Sequence, residues 1–121
     1  EVLKTFPDES VDSVVTDPPY GLGREPRVDE IIAYLQGQSL KTKDFMGLDW
    51  DIPSVELWRE VYRVLKPGGH ILCFGGTRAF DLVSLGLRAA GFQNRDTIAN
   101  VASQNSAGLL WLKSYGMQIG L

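Results

Sequence analysis

The stretch VELWREVYRVLKPGGHILCFGG, residues 55–76, decides the fold, because a helical pattern passes directly into a strand pattern. The helical part carries one apolar stripe: Val55, Trp58, Val61, Tyr62 and Leu65. LKPGG (65–69) ends this helix, since Pro67 disfavours helix at the residue before it and the glycines turn the chain. HILCFGG (70–76) then predicts a buried strand, in which Cys73 is a core residue rather than a nucleophile.

The residues that follow predict another helix and another strand. TRAFDLVSLGLRAAG (77–91) has helical spacing, with Thr77 as its predicted N-cap and Gly91 as its stop. Its predicted inner face consists of Phe80, Val83, Leu87 and Ala90. FQNRDTIANV (92–101) predicts a further strand, whereas residues 103–121 are assigned no element.

Before the central stretch, the pattern predicts one helix and one loop. Apolar residues at helical spacing predict a helix over Val28–Leu35, with Gly37 as its stop. Residues 38–50 show no sustained period and are interpreted as a loop. Asp51 is the predicted N-cap of the helix that follows.

The first strand leads into the motif of greatest chemical interest. The β-branched run Val11–Val15 suits a strand covered on both faces, and Pro18 and Pro19 end it because neither donates a ladder hydrogen bond. Alternating strands and helices predict an α/β fold, a mainly parallel sheet flanked by helices. Ligands bind such sheets beyond the carboxyl ends of the strands. The Asp-Pro-Pro-Tyr motif, residues 17–20, stands at that end of the first strand.

Composition restricts the classes of function. The chain has 121 residues, 44% of them hydrophobic, which suits a single domain over residues 1–121. One cysteine and one histidine exclude an internal disulfide and a closed zinc site, so we expect no metal. No apolar run reaches the roughly 18 residues of a membrane helix and no leader is seen, so we expect a cytoplasmic protein. The chain opens on Glu1 rather than methionine, which indicates a fragment.

The net charge of −3 is unevenly distributed along the chain. Residues 1–60 contain 6 Lys or Arg against 13 Asp or Glu, whereas residues 61–121 contain 6 against 2. The positive charge of residues 61–121 could contact phosphates, although an ordinary solvated surface explains this charge equally well. The basic residues Arg24, Arg27, Lys41 and Lys43 follow the motif, where phosphate contact and plain exposed charge are equally good explanations.

The motif carries groups suited to activating an amine. Asp17 and the Pro18 carbonyl can both accept hydrogen bonds from one planar amino group, which favours a pyramidal nitrogen with an available lone pair. The charge of Asp17 also stabilises an ammonium that develops in the transition state. Tyr20 offers a ring on which a base taken out of its stack can rest. A turn-capping Asp before Pro is the alternative, but it leaves the following Pro-Tyr unexplained.

VDSVVTDPPYGL (11–22), WREVYRVLKPGGHILCFGGTRAF (58–80) and AAGFQNRDTI (89–98) together resemble the amino-methylating DNA methyltransferases. These enzymes methylate adenine N6 or cytosine N4 in restriction-modification systems. The resemblance covers roughly residues 1–100, in the family's order. It implies a partial methyltransferase (Rossmann-like) fold and S-adenosylmethionine as methyl donor. It further implies double-stranded DNA with a flipped base as substrate, in the cytoplasm of a bacterial or phage-infected cell.

The resemblance assigns four residues to the catalytic motif: Asp17, Pro18, Pro19 and Tyr20. Two of them, Asp17 and Pro18, are also expected at the cofactor. The residues expected at the nucleic acid are Tyr20, Arg24, Lys41 and Lys43. The aspartate form of the motif is commoner among adenine methylators, so adenine is the expected target and cytosine N4 the alternative.

The sequence also departs from the family. FGGTRAF (74–80) lacks the G-x-G-x-x-G order of a nucleotide loop and falls where the family has a strand end. A catalytic-side fragment without most of the cofactor pocket is therefore expected. Methylation of ribosomal RNA or of a release factor is disfavoured, because only Glu1–Thr16 precede the motif and they contain no cofactor loop. A non-catalytic DNA-binding remnant is the alternative from another functional class.

Overall fold

A computed structural model describes residues 1–19, 24–38, 40, 52–76, 79–103 and 110–119. In these residues a 3-10 turn over Val2–Thr5 precedes the helices and strands. The helices are α1 (Val28–Leu35), α2 (Val55–Val64) and α3 (Phe80–Ala90). The strands are β1 (Val11–Thr16), β2 (Leu65–Gly76), β3 (Gln93–Ser103) and β4 (Leu110–Ile119). None of the described helices has the length and hydropathy that a membrane crossing requires.

The four strands form one sheet with the order β1-β2-β4-β3. β1 and β2 are parallel, whereas β4 is antiparallel to both β2 and β3. β1, β2 and β3 therefore point the same way, and the predicted α/β fold with a mainly parallel sheet is confirmed. β4 comes from the part of the chain to which the sequence assigned no element, and it lies between β2 and β3.

β2 begins earlier than predicted, at Leu65. Val11 of β1 pairs with Leu65, while Ser13 pairs with His70, so Lys66–Gly69 bulge out of the ladder between the two pairs. The predicted turn is therefore present, but it is built into the strand instead of separating the helix from the strand.

α2 buries most of the predicted apolar stripe: Val55, Trp58 and Val61 are buried, together with Val64. Leu65, predicted as the last residue of the stripe, is instead a buried residue of β2. Tyr62 is partly buried and packs edge-on against Phe92, with ring centroids 5.1 Å apart. The N-cap is Ser54, whose hydroxyl accepts the N–H of Leu57 at 3.2 Å. The predicted cap, Asp51, lies outside the described residues.

α3 packs against the sheet and α2 largely as the sequence predicts. Its buried residues are Leu82, Val83, Gly86, Leu87 and Ala90, with Phe80 partly buried. Gly91 ends the helix with a φ of +116°, a left-handed conformation that favours glycine. The N-cap is Ala79, and the predicted cap, Thr77, lies outside the described residues.

The three helices meet at Tyr34, which is 1% exposed. Its hydroxyl donates to the Pro53 carbonyl at 2.6 Å, and burial raises the pKa of Tyr34 to about 12. A Cβ at Gly86 would overlap the Tyr34 hydroxyl and lie 3.2 Å from Cδ1 of Trp58. Glycine at this position therefore allows α1 and α2 to approach α3 closely.

Two predicted faces are only half covered in the described part of the chain. α1 has the predicted bounds, but Val28 and Ile32 are 73% and 53% exposed. β1 was expected to be covered on both faces. Val11 and Val14 pack against the core, whereas Val15 is 69% exposed, so the expectation is wrong for the described residues.

Candidate active site

The motif begins at the carboxyl end of the parallel β1–β2 pair. Thr16, the last residue of β1, pairs with Cys73 of β2, and Asp17 follows it directly. Asp17 is exposed, and the two prolines after it are partly buried. Ligands of α/β sheets bind at this edge, so the motif lies where the strand order predicts a site.

The segment Asp17–Pro19 offers hydrogen-bond acceptors and few donors. Pro18 and Pro19 have fixed φ angles and no backbone N–H, so the loop is stiff and adds no donors of its own at these positions. The Asp17 carboxylate and the Pro18 carbonyl are acceptors on adjacent residues. Such a pair is suited to an amino group, which offers two hydrogens.

Cys73 lies on β2 beside the motif. It is 3% exposed, and its thiol donates to the Phe74 carbonyl at 3.5 Å. Burial, followed by the nearby charge of Asp17, raises the pKa of the Cys73 thiol to about 12. The predicted core position of Cys73 is confirmed, and the thiol stays protonated at neutral pH.

Tyr20, Lys41 and Lys43 lie outside the described residues, so their contacts with a base or with phosphates stay predictions. Gly76 is the last residue of β2, in agreement with the expected strand end at this glycine pair. Within the described ranges, no group of three or more His, Cys, Asp or Glu side chains is placed to hold a metal ion.

Arg24 is the first basic residue after the motif along the chain. Its guanidinium forms a two-point ion pair with Glu30: Nη1 donates to Oε2 at 2.9 Å, and Nη2 donates to Oε1. The next basic residue, Arg27, donates from Nε to Oδ1 of Asp29 at 3.2 Å. The charge of Arg24 is thus already balanced by a carboxylate, and its contact with phosphate stays a prediction.

Glu30 is a residue that the sequence analysis missed. Its Oε2 also accepts the backbone N–H of Arg27, the N-cap residue of α1, at 2.8 Å. The hydrogen bonds from Arg24 and then from the Arg27 backbone lower the pKa of Glu30 to about 2. A Glu three residues after an N-cap is half of a capping box, but the Ser or Thr that identifies this box is replaced by Arg27.

Comparison with known sequences gives consistent matches. A model of the N6/N4 methyltransferase family, described as DNA methylase, matches residues 11–109. The DNA adenine methyltransferase YhdJ of Escherichia coli (strain K12) is 31% identical over 114 residues, which are 94% of this chain and 34% of that protein. The type II methyltransferase M.BamHI of Bacillus amyloliquefaciens is 35% identical over 74 residues, 61% of this chain and 15% of that protein. The chain thus spans about a third or less of the length of the curated relatives it matches.

Solved structures share the fold. TTHA0409 of Thermus thermophilus, described as a DNA modification methylase and solved with S-adenosyl-L-methionine, matches with a TM-score of 0.64 and 23% identity. The match covers 98% of this chain and 51% of that one. The cytosine-N4-specific PvuII DNA methyltransferase matches with a TM-score of 0.61 and 17% identity, over 100% of this chain and 46% of that one. The chain has the fold of about half of each protein.

Proposed function

This chain belongs to the N6/N4 DNA methylase family, and we propose that it carries the catalytic side of an adenine-specific DNA methyltransferase that uses S-adenosylmethionine. The observation that carries the proposal is the position of Asp17 and Pro18. They place a carboxylate and a carbonyl at the carboxyl end of β1, where an α/β sheet binds its ligands.

Asp17 and Pro18 act on the target amine. The amine of a base is a poor nucleophile, because its lone pair is delocalised into the ring. Two acceptors that hold its hydrogens favour a pyramidal nitrogen and return the lone pair to it. The charge of Asp17 also stabilises the positive charge that develops on nitrogen, as an oxyanion hole does with the opposite sign.

The target base has to leave the duplex, because pairing hides the amine. Tyr20, the last residue of the motif, is proposed to receive the flipped base by stacking, a contact worth about 1–3 kcal/mol in nucleic-acid complexes. Pro18 and Pro19 keep the loop stiff, so that stacking and amine contacts are made in one fixed geometry. Lys41 and Lys43 are proposed near the DNA backbone, whereas the charge of Arg24 is already balanced by Glu30.

The strand end fits one side of a cofactor site. Asp17 is exposed and carries a carboxylate next to the Pro18 carbonyl, and both acceptors suit a cationic sulfonium. When bound, S-adenosylmethionine supplies an electrophilic methyl group. Asp17 and Pro18 would contact the sulfonium end of the cofactor. The other cofactor contacts are proposed to come from residues that the longer relatives have and these 121 residues do not include.

Adenine is proposed as the target for two reasons. The motif begins with aspartate, the form commoner among adenine methylators. In addition, YhdJ, described as a DNA adenine methyltransferase, is similar over 94% of this chain. Cytosine N4 is the second candidate, because the chain also shares its fold with the cytosine-N4-specific PvuII enzyme.

The test is methyl transfer to duplex DNA by the complete protein that contains this chain, followed by nucleoside mass spectrometry. We expect N6-methyladenine as the product. Asp17→Ala is expected to lower kcat by about 100-fold or more, because it removes the charge that stabilises the developing ammonium. Asp12→Asn is the control: Asp12 lies on β1, the strand that leads to Asp17, and its carboxylate accepts from Lys66 at 2.6 Å. It is expected to keep wild-type turnover.

Each other outcome has a definite meaning. N4-methylcytosine as the only product would replace adenine by cytosine as the target. Near-normal turnover in Asp17→Ala would contradict the role of Asp17. DNA binding by the wild-type protein without any methylated product would favour a non-catalytic remnant of such an enzyme.

A further inference from the structure

Arg24, the first described residue after the motif, is tied to α1 by an ion pair. Arg24 is 53% exposed at its side chain, whereas the Glu30 side chain that holds it is only 19% exposed. Both guanidinium nitrogens of the Arg24 fork meet the two carboxylate oxygens, a geometry with more directional specificity than a single contact. Nη1 of Arg24 also donates to the Glu25 carbonyl at 3.3 Å.

The segment between Arg24 and α1 is itself stiff. Pro26 fixes its own φ and confines Glu25 to extended conformations. Arg27, the N-cap, has φ −75° and ψ 162°, and its N–H is held by Glu30. Glu30 therefore fixes both ends of this short segment, Arg24 by its side chain and Arg27 by its backbone.

We propose that Glu30 is a positioning residue for the catalytic motif: by holding Arg24 and Arg27, it anchors the chain that leaves Asp17–Pro19 to the first turn of α1. The inference rests on the proposed methyltransferase function. At the entrance to the motif, the pairing of Thr16 with Cys73 anchors the chain to the sheet. At the exit, the Glu30 pair anchors it to a helix. Arg24 follows Pro19 by five positions along the chain, a reach of roughly 18 Å at most.

This role differs from a direct contact between Arg24 and DNA. If Arg24 bound a phosphate, Glu30 would compete for its charge, and removal of Glu30 would strengthen DNA binding. If Glu30 positions the motif through Arg24, removal of either partner loosens the same anchor. The two single changes then have the same effect, and the double change adds little.

The experiment compares Arg24→Gln, Glu30→Gln and the double variant of the complete protein in steady-state methylation of duplex DNA. Glu30→Gln keeps an amide oxygen for the Arg27 N–H and removes the ion pair with Arg24. Each single variant is expected to lower kcat by about 10- to 100-fold, as small displacements of positioned groups do. The double variant is expected to match the singles within about twofold. The KM for S-adenosylmethionine and the salt dependence of DNA binding are expected to stay at wild-type values.

Asp29→Asn is the matched control, because it removes the neighbouring exposed ion pair with Arg27 from the same helical turn. It is expected to leave kcat unchanged. Hydrogen exchange of peptides that span residues 17–27 should be faster in the Arg24 and Glu30 variants and unchanged in Asp29→Asn. This readout does not depend on activity.

Wild-type turnover in Glu30→Gln would overturn the proposal. The proposal would also be overturned if Arg24→Gln alone lowered, by about one unit, the slope of log K for DNA binding against log salt concentration. Such a change is the signature of one lost phosphate contact. An inactive wild-type protein would instead contradict the proposed function, and the exchange experiment would still test the anchor.

Discussion

Two ionisable side chains, Cys73 beside the motif and Glu30 on α1, are held in opposite environments. The Cys73 thiol is buried, which raises its pKa to about 12, whereas the Glu30 carboxylate is held by Arg24 and has its pKa lowered to about 2. The thiol is therefore protonated and the carboxylate ionised near neutral pH. Asp17 is the exposed acid of the motif, and the buried, protonated thiol does not compete with the target amine for an electrophile.

The ion pair of Glu30 makes stability depend on pH at the acid end. The pKa of Glu30 is lowered from 4.5 to about 2 in the folded protein, so the pair stabilises the folded state above pH 4.5. This contribution is lost as the pH falls from 4.5 towards 2. Thermal unfolding should give a lower Tm for Glu30→Gln than for wild type at pH 7, and the two values should converge near pH 2. Glu25→Gln, in the same segment, is the control. If the Tm difference between wild type and Glu30→Gln grew as the pH fell, the stabilising role of the ionised Glu30 would be contradicted.

The candidate site was only partly predictable. Asp17 and its prolines were placed at a strand end because β-branched residues and a proline pair are local signals. The partnership of Arg24 with Glu30 has no such signal, since a spacing of six residues across Pro26 belongs to no regular period. It depends on how the chain turns into α1, which sequence spacing alone does not encode.

Helices and strands were predictable to different degrees. α2 and α3 carry apolar stripes that are read from neighbouring turns, and their buried faces agree with the prediction. β4 was not predicted, because its position depends on partners far along the chain: Ile119 pairs with both His70 and Gln93. The early start of β2 was missed for the same reason, since it is set by pairing with Val11.

The contact between the three helices predicts an unusual response to a small substitution. Alanine in place of glycine normally stabilises a helix interior, by about 1 kcal/mol. At Gly86 the added methyl would overlap the Tyr34 hydroxyl, so Gly86→Ala is expected to destabilise the protein by about 1–3 kcal/mol. Chemical denaturation gives the free energy of unfolding.

The same substitution in a Tyr34→Phe background is the control for this prediction. Loss of the hydroxyl removes the atom nearest to the new methyl, so the cost of Gly86→Ala should shrink there. A Gly86→Ala protein more stable than wild type would show that the helices move apart without cost.

At the scale of the whole molecule, the chain corresponds to about half of the solved methyltransferases it resembles. Its four described strands include the strand end from which the Asp-Pro-Pro-Tyr motif begins, while the sequence has no G-x-G-x-x-G segment. Within the described strands, β1 pairs only with β2 and exposes Val15. We therefore predict a division along the sequence, in which most of the cofactor pocket of such an enzyme lies outside these residues.

This division predicts how the 121-residue chain behaves alone. Calorimetric titration with S-adenosylmethionine should give no saturable binding to a folded sample of residues 1–121, whereas the complete protein should bind it. Circular dichroism of the same sample serves as the control for folding. Saturable binding by this chain alone would contradict the division and place a sufficient cofactor pocket within it.

The position of β4 between β2 and β3 determines the order in which the sheet can assemble during translation. β3 is made before β4, yet within the described sheet it is joined to β2 only through β4. While the ribosome is still translating the residues before Leu110, the edge of β2 that β4 will occupy is unpaired, and uncovered edges invite association with other chains. Pairings between distant residues also form slowly. We therefore expect a nascent chain stalled between β3 and β4 to be more prone to aggregation than a chain in which β4 has paired.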